Sequence, residues 1–361
     1  MVFNKKDRLL GIDISSSGVK LVELSRSGKR YQIEAMAIEP LPEGAVEDGN
    51  PSDVDQIANA LQRAIKASGT KLSKAAVAVP TSSVITRTIP MPVGYSEDEI
   101  EAAIEVEASQ YIPFPLEEIY VDFSILGPSR ASRDSQDVMI VASRRENVDL
   151  RQEVLQEAGL KAAVVDVEAY AIENMFSLLS SSLYFDNANT ETAFERLNNI
   201  RTAIADIGLN TITLYIFQGT KVVFTREQPL GCDQLTRMIA EHYDLPKDRA
   251  ELAKRTGELS EDYVPNILGP FRQSVADQIN NGLQFFFSSS NYNSIDSLLL
   301  TGGGGIISDV DKVISQVLSV PCAVANPFES MGSVKKINRR SLSRDAPLFG
   351  VACGLALRSL D

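Results

Sequence analysis

The stretch GIDISSSGVK, residues 11–20, decides how this chain is interpreted. An apolar run ends at Asp13, three serines and a glycine follow, and a second apolar run begins around Lys20. Small residues at a hairpin tip let backbone N–H groups approach phosphate oxygens, and an aspartate beside them can hold a hydrated Mg²⁺ ion. An ordinary polar hairpin is the alternative interpretation. The candidate binding residues of this first loop are Asp13, Ser15, Ser16, Ser17, Gly18, Val19 and Lys20.

A second loop, ADIGLNT at residues 205–211, repeats the order of strand, aspartate, small-residue turn and strand. Two carboxylates on matching loops, Asp13 and Asp206, can share one solvated cation. A plain turn remains the alternative, although matched loops at the heads of two similar segments make coincidence a weaker explanation. The candidate binding residues here are Asp206, Gly208, Leu209, Asn210 and Thr211.

A third loop, LLLTGGGGI at residues 298–306, places four glycines directly after a buried strand. Glycines remove every side chain where the backbone turns, which allows a nucleobase or a phosphate to approach the main chain. A flexible loop is the alternative. The candidate binding residues are Gly302, Gly303, Gly304 and Gly305.

The composition excludes several classes of protein. With 361 residues, 44% of them hydrophobic, the chain can bury large cores and is expected to form two lobes. A formal charge of −13 argues against a nucleic-acid-binding surface. The single histidine, His242, argues against a zinc site and against serine or cysteine nucleophile chemistry, so a helix-surface role is expected for it. No apolar stretch is long enough to span a bilayer, and three cysteines, which cannot all pair, suit a reducing, cytoplasmic compartment.

The pattern of predicted strands and helices contains an internal repeat. Strands expected at 9–14, 19–25 and 31–38 form an antiparallel meander, and strands expected at 201–207, 211–217 and 221–228 form another. The predicted fold class is therefore α/β, with repeated βββαβα lobes facing one cleft. The predicted division is 1–83 (first lobe, N-terminal part), 84–161 (inserted subdomain), 162–200 (connecting strand and helix), 201–231 (second-lobe core), 232–290 (helical subdomain), 291–330 (third-loop part) and 331–361 (return to the first lobe).

This ordered set of loops resembles the actin, sugar kinase and Hsp70 superfamily, and so implies an actin-like two-lobe ATPase fold. Within it the chain is most similar to the PilM proteins of type IV pilus assembly, which are related to the division protein FtsA. The stretches GIDISSSGVKLVELS, QYIPFPLEE and VVDVEAYAIEN carry that resemblance. The segment 84–161 lies where PilM and FtsA have a distinctive subdomain.

The resemblance implies a role for each candidate residue. Asp13 and Asp206 would flank Mg²⁺, and Asp206 and Glu168 are the catalytic candidates, with Glu168 placed where the superfamily positions an attacking water. The first two loops would hold the phosphates of ATP. Glu251 and Lys254, one helical turn apart, would contact the ribose and base, although a surface ion pair explains them equally well.

The implied function is an ATP-binding scaffold of the type IV pilus machine, cytoplasmic and attached to the inner membrane through a partner. Hydrolysis is expected to be slow or undetectable. The expected partner is the cytoplasmic N-terminal tail of a PilN-like membrane protein, with other pilus motor and platform proteins and self-association as further expectations. The candidate partner-binding residues are Ile89, Met91, Tyr111, Ile112 and Phe114, for which a buried seam is the alternative.

Two other functions are weighed against this one. An FtsA-like division protein is disfavoured because FtsA ends in a membrane-binding helix, whereas this sequence stops at Asp361, directly after the expected second connecting helix. A small-molecule kinase would need an acceptor pocket with a base, for which no segment is recognisable. The basic run of Lys335, Lys336, Arg339, Arg340 and Arg344 is interpreted as a solvated loop in preference to a lipid-binding patch.

Overall fold

The computed structural model describes residues 8–28, 30–129, 132–184, 198–335 and 337–360. At residues 107–111, 181–184 and 339–341 the backbone is described without the side chains. Within these residues, no helix combines the length and the apolar character that a membrane span needs.

The strands and helices are numbered in chain order. The strands are β1 (Leu10–Ser15), β2 (Gly18–Ser27), β3 (Arg30–Pro40), β4 (Val46–Glu47), β5 (Asn50–Pro51), β6 (Lys74–Val79), β7 (Val84–Pro92), β8 (Ile119–Pro128), β9 (Ser135–Arg144), β10 (Lys161–Val167), β11 (Arg201–Ile207), β12 (Ile212–Gln218), β13 (Lys221–Gln228), β14 (Ser297–Thr301), β15 (Cys322–Val324) and β16 (Gly332–Ser333). The helices are α1 (Val54–Ser68), α2 (Glu97–Tyr111), α3 (Arg145–Glu157), α4 (Glu168–Tyr184), α5 (Cys232–Tyr243), α6 (Lys247–Thr256), α7 (Gly269–Ser289), α8 (Val310–Leu318), α9 (Arg339–Asp345) and α10 (Gly350–Leu357).

Two mixed sheets share one strand order, which confirms the predicted repeat. The first lobe has the order β10-β6-β1-β2-β3, extended by β16, and the second lobe has the order β15-β14-β11-β12-β13. In each sheet the opening strand of the meander pairs antiparallel with the next strand and parallel with the strand that follows the lobe's first helices. The carboxyl ends of β1 and β11, where the candidate loops begin, therefore occupy equivalent positions.

Helix α1 shows how local sequence sets these elements. Asp53 accepts a hydrogen bond from the backbone N–H of Gln56 (3.0 Å) and caps the helix, and Gly69 ends it in the left-handed conformation. Its apolar face, including Ile57 and Leu61, packs against the first-lobe sheet. The helical spacing of apolar residues over 53–67 predicts this helix, and the structure confirms it.

The inserted subdomain is a three-stranded antiparallel sheet, in the order β7-β9-β8, covered by α2. Ser96 and Glu99 form a capping box at the start of α2, as the Glu99 carboxylate accepts from the Ser96 N–H (2.8 Å). Helix α3, predicted with this subdomain, instead packs Val154 and Leu155 into the first-lobe core. We therefore propose a subdomain boundary near residue 144, in place of 161.

The lobes are joined by α4 and α10, which cross at very short range. A Cβ on Gly354 would lie 1.8 Å from the carbonyl oxygen of Ala171, so only glycine permits this approach. A shared apolar cluster includes Ile172 and Phe176 of α4 together with Tyr215 and Phe217 of the second lobe. The two lobes are thus packed together at this end.

Some elements differ from the sequence-based expectation. The polar stretch 180–199 predicts a loop between the lobes, but α4 continues to Tyr184, because Leu179 and Ser180 are buried against the molecule. Within that predicted loop, residues 185–197 lie outside the described part of the structure. The short elements α8, α9, β4, β5, β15 and β16 were not predicted, since segments of this length carry little hydrophobic periodicity.

Candidate functional site

The first loop is the hairpin between β1 and β2. Asp13 and Lys20 face each other in register, and the Lys20 Nζ lies 2.7 Å from the Asp13 Oδ2 and 2.8 Å from the Ser15 Oγ. Both charged side chains are more than 90% buried. The loop thus holds a fixed, buried ion pair at the end of β1.

The remaining residues of the first loop differ in how exposed they are to solvent. The Ser15 hydroxyl donates to the Gly18 carbonyl (3.1 Å), while Ser16 and Ser17 form the more exposed tip. Gly18 is buried, and Val19 belongs to the first-lobe core. The side chain of Val19 is therefore not available to a ligand, which leaves its backbone as the part that can serve the predicted role.

The second loop lies on the start of α5. The Cys232 N–H donates to the Gly208 carbonyl (3.0 Å), and the Asp233 N–H donates to the Leu209 carbonyl (2.8 Å). Asn210 is the exposed residue of the loop, whereas Gly208, Leu209 and Thr211 are half-buried. These bonds hold the turn rigidly beside Asp206, the residue that precedes it by two positions.

Asp206 is half-buried at the end of β11. Burial raises the pKa of its carboxyl group to about 6, the nearby Asp13 adds to that shift, and Lys20 opposes it. The aspartates of the two opposing loops therefore interact electrostatically, and their sharing of one cation stays a prediction.

The glycine loop uses its four glycines in different ways. Gly302 has φ +78°, and a Cβ there would lie 2.3 Å from the Asp206 Oδ1. A Cβ on Gly304 would lie 2.1 Å from the Ile207 Cγ2. By contrast, a Cβ on Gly303 would meet nothing closer than 3.8 Å, and one on Gly305 nothing closer than 3.5 Å. The protein itself needs glycine at 302 and 304, whereas the surroundings of Gly303 and Gly305 have room for a small side chain.

Glu168 begins α4 beside both aspartates. It is half-buried, and its carboxyl group is enclosed closely enough for burial to raise its pKa to about 8. The negative charges of Asp13, Asp206 and Glu227 raise the pKa further, and Arg151 opposes them. The helix start is fixed by the Ala169 N–H, which donates to the Thr81 Oγ1 (3.1 Å). A carboxyl group with such a pKa among other acids is a pattern found at functional sites.

Glu251 and Lys254 lie on α6 and meet α5 at Thr236. The Thr236 hydroxyl donates to the Glu251 Oε2 (2.7 Å), and the Lys254 Nζ lies 2.6 Å from the Thr236 Oγ1 and 2.5 Å from the same carboxylate. The pair borders half-buried Cys232, whose thiol pKa is raised by burial to about 11. Since a Cβ on Gly303 would lie 3.9 Å from the Cys232 sulfur, the pair and the glycine loop flank one region.

The site fits Mg²⁺ only with help from a ligand. Within the residues that the structure describes, no group of three or more His, Cys, Asp or Glu side chains can hold a metal ion. Mg²⁺ in nucleotide sites is commonly held by one or two carboxylates together with phosphate oxygens and waters. Asp206, with Asp13 nearby, supplies such a partial set, so the residues present fit a Mg²⁺ ion bound together with phosphates.

The predicted partner residues are mostly buried. Ile89, Met91 and Ile112 belong to the core of the inserted subdomain, with no more than 5% of each exposed. The side chain of Tyr111 lies outside the described part of the structure. Phe114 is half-buried beneath Arg144, whose guanidinium carbon lies 4.4 Å from the ring centroid. Direct partner contact by the three core residues thus stays a prediction that their burial argues against.

Several residues around the cleft were missed from the sequence. Glu227 of β13 accepts a hydrogen bond from Ser82 of the first lobe (3.3 Å) and adds negative charge near Glu168. Tyr215 is fully buried beside Thr81, Glu168 and Asp206. A tyrosine inside an otherwise apolar strand was a usable signal, but Glu227 carried none.

The chain matches a family model, and its curated relatives include two cell division proteins. The model for type IV pilus assembly protein PilM matches residues 11–360. The cell division protein FtsA of Bacillus subtilis (strain 168) is 22% identical over 355 residues, covering 90% of this chain and 80% of that protein. FtsA of Borreliella burgdorferi is 21% identical over 398 residues, covering 98% and 91%.

Solved structures confirm the actin-like two-lobe ATPase fold that the sequence implied. A chain of the PilM-PilN type IV pilus biogenesis complex superposes with a TM-score of 0.79 and 27% identity, over 98% of this chain and 99% of that one. The ethanolamine utilization protein EutJ of Carboxydothermus hydrogenoformans superposes with a TM-score of 0.55 and 15% identity, over 97% and 89%. The second likeness concerns the fold alone.

Proposed function

The chain belongs to the PilM family of type IV pilus assembly proteins, and we propose that it is an ATP-binding scaffold of the inner-membrane assembly complex. In this proposal Mg·ATP binds between the two lobes, and nucleotide state is coupled to pilus assembly and twitching motility. The inserted subdomain docks the cytoplasmic N-terminal tail of a PilN-like membrane protein. The scaffold is cytoplasmic and is held at the inner membrane by that partner. Family membership supports a role in pilus assembly over cell division or a small-molecule kinase activity.

One observation carries the nucleotide part of the proposal, namely the convergence of charged groups from both lobes. The buried Asp13–Lys20 pair of the first lobe, Asp206 of the second lobe and Glu168 of α4 influence one another electrostatically. An excess of enclosed carboxylates favours a cation, and Mg²⁺ would supply charge neutralisation for both the carboxylates and the phosphates. Lys20, the backbone of the two hairpin turns and Gly303 would then hold the phosphate chain and the base.

Slow turnover is supported by the state of Glu168. A carboxyl group with a pKa of about 8 is mostly protonated at neutral pH, and a protonated acid cannot accept a proton from water. The one histidine, His242, pairs with Asp262 (2.7 Å) on the surface of the second lobe instead of lying near the cleft. We therefore infer a binding protein with at most slow hydrolysis.

Calorimetry with Mg·ATP tests the nucleotide part. The parent protein is expected to bind and to gain thermal stability by mass action. Asp206→Ala is expected to weaken binding at least about tenfold, because one charge-assisted contact is worth roughly 1.5–3 kcal/mol. Asp277→Ala, which removes an exposed aspartate of α7, is the matched control and should bind as the parent does. Equal affinity in the parent and Asp206→Ala would remove the assigned cation role.

The partner part rests on an aromatic surface where the inserted subdomain meets the first lobe. Arg144 covers Phe114, and Arg145 lies 4.3 Å from the ring centroid of Tyr120, which is 39% exposed. The Tyr120 hydroxyl donates to Asp149 of α3 (3.1 Å). Rings held by arginines present apolar area with little side-chain entropy to lose on binding.

Binding of a synthetic PilN-like N-terminal tail peptide tests this surface. Phe114→Glu is expected to abolish peptide binding while Mg·ATP affinity is unchanged. Phe285→Glu is the matched control, because Phe285 is a 47% exposed ring beneath Arg226 in the second lobe. Loss of nucleotide binding together with peptide binding would indicate misfolding, and full retention of the peptide would place the docking surface elsewhere.

A further inference from the structure

Arg151 of α3 is fully buried, with 0% of its surface exposed. Its Nε donates to the Ala78 carbonyl (2.6 Å), and its Nη2 donates to the Gly49 carbonyl (2.6 Å). Its Nη1 donates to the Asn147 carbonyl (2.7 Å) and to the Asn50 Oδ1 (3.1 Å). One side chain therefore ties together the β4–β5 hairpin, the end of β6 and α3.

All four acceptors are neutral, which makes the retained charge unusual. In the described part of the chain, no carboxylate forms an ion pair with Arg151. Burying an isolated ion costs several kcal/mol even after relaxation, and neutral donors can satisfy carbonyl oxygens without that penalty. The four hydrogen bonds explain the position of the guanidinium but not its charge.

Acidic groups of the cleft act on Arg151 electrostatically. Burial lowers the pKa of Arg151 to about 10, and attraction by Glu168, followed by Asp13, opposes that shift. The interaction is mutual, since Arg151 is the group that lowers the pKa of Glu168. The strand register agrees with this. Ala78, whose carbonyl accepts from Arg151, lies between Val77, which pairs with Ile12, and Val79, which pairs with Val167. The guanidinium is therefore bonded to β6 at the level where β1 reaches Asp13 and β10 leads into Glu168.

We propose that Arg151 is a positioning residue of the cleft, a fixed positive charge that stabilises the Asp13 carboxylate, makes ionisation of Glu168 easier and favours a bound phosphate chain. Its four hydrogen bonds fix the position of the guanidinium charge. Lys20 supplies a second positive charge, which is paired directly with Asp13. The part of this inference that concerns phosphate rests on the proposed binding of Mg·ATP.

Two substitutions separate the charge of Arg151 from its hydrogen bonds. Arg151→Lys keeps the charge and loses most of the bonds, whereas Arg151→Gln keeps a neutral donor. Both variants are expected to lose thermal stability. Arg151→Lys should bind Mg·ATP within about threefold of the parent, and Arg151→Gln should bind at least about tenfold more weakly. If both variants lost the same Mg·ATP affinity, in proportion to their loss of stability, Arg151 would be only a structural anchor.

A double variant tests the charge without any nucleotide. At pH 9, where the Glu168 carboxyl is ionised, Arg151→Gln should lower the melting temperature less in a Glu168→Gln background than in the parent. If Arg151→Gln alone fails to fold, the double variant is expected to recover a cooperative transition. Absence of coupling, or failure of the double variant to fold, overturns the proposal. Absence of Mg·ATP binding by the parent would overturn the proposed function and leave this cycle intact.

Discussion

The two loops that face each other across the cleft have the same topology but differ in how their aspartates are paired. In the first hairpin Asp13 lies opposite Lys20, and in the second hairpin Asp206 lies opposite Thr213. The first carboxylate is therefore paired within its own hairpin, whereas the second has no basic residue opposite it in its hairpin. The comparison indicates that Asp206 is the carboxylate kept for a cation, and that Asp13 and Lys20 form the fixed part of the site.

The largest expected effect comes from breaking the Asp13–Lys20 ion pair. Lys20→Met leaves the Asp13 carboxylate buried without its partner, so unfolding should become easier by about 3 kcal/mol or more. Thr213→Val, the equivalent change in the second hairpin, should alter stability by less than about 0.5 kcal/mol. Denaturant melts of both variants measure the difference. An Asp13→Asn/Lys20→Met double variant should recover much of the loss, and failure to recover would mean that Lys20 acts through packing alone.

The next largest effect concerns Gly302, which packs against the Asp206 carboxylate. Gly302→Ala places a methyl group against the Asp206 carboxylate at a positive φ, so we expect a loss of about 2–3 kcal/mol in stability. Gly303→Ala should change stability by less than about 1 kcal/mol, because its surroundings have room. Thermal melts of the two variants check this contrast. Similar melting temperatures would show that the glycine loop adjusts freely.

A pH-dependent effect follows from Glu168, which lies between the two hairpins. Its pKa is raised from 4.5 to about 8 in the folded protein, so the stability it contributes is complete below pH 4.5 and is lost as pH rises through 8. Glu168→Gln removes this loss. The variant should match the parent near pH 4.5, exceed it by about 1–2 kcal/mol at pH 6, and exceed it further as pH rises to 8. Melting temperatures of the parent and of Glu168→Gln, measured across this pH range without nucleotide, test the prediction. A difference between the two proteins that does not change with pH would contradict the assigned ionisation of Glu168.

The smallest effect comes from making the two hairpins alike. Thr213→Lys places a cation opposite Asp206, as Lys20 stands opposite Asp13. We expect apo stability at neutral pH to rise by about 0.5–1 kcal/mol and Mg·ATP affinity to fall about threefold, since the lysine competes with the cation. Gln218→Lys, an exposed position on the same strand, is the matched control. If both lysines had the same effect, overall charge would be the cause.

The local part of this site was predictable. The two meanders, the aspartates near the ends of β1 and β11 and the glycine loop after β14 were all visible as short patterns, because hairpins and tight turns depend on residues close in sequence. The repeated order of the two sheets then placed the loops at equivalent positions. The capping box at Ser96 was predictable for the same reason.

The sequence by itself determined that the chain has two related α/β lobes with three small-residue loops directed at one cleft. Tertiary structure decided what each residue does there, because burial and charge depend on groups far apart in the chain. Arg151 meets Gly49, and Gly302 meets Asp206, across about a hundred residues. The same long-range packing buried Ile89, Met91 and Ile112 and left Asp206 without the lysine that Asp13 has. No pattern within one segment contains that information, since it arises only when separate segments pack together.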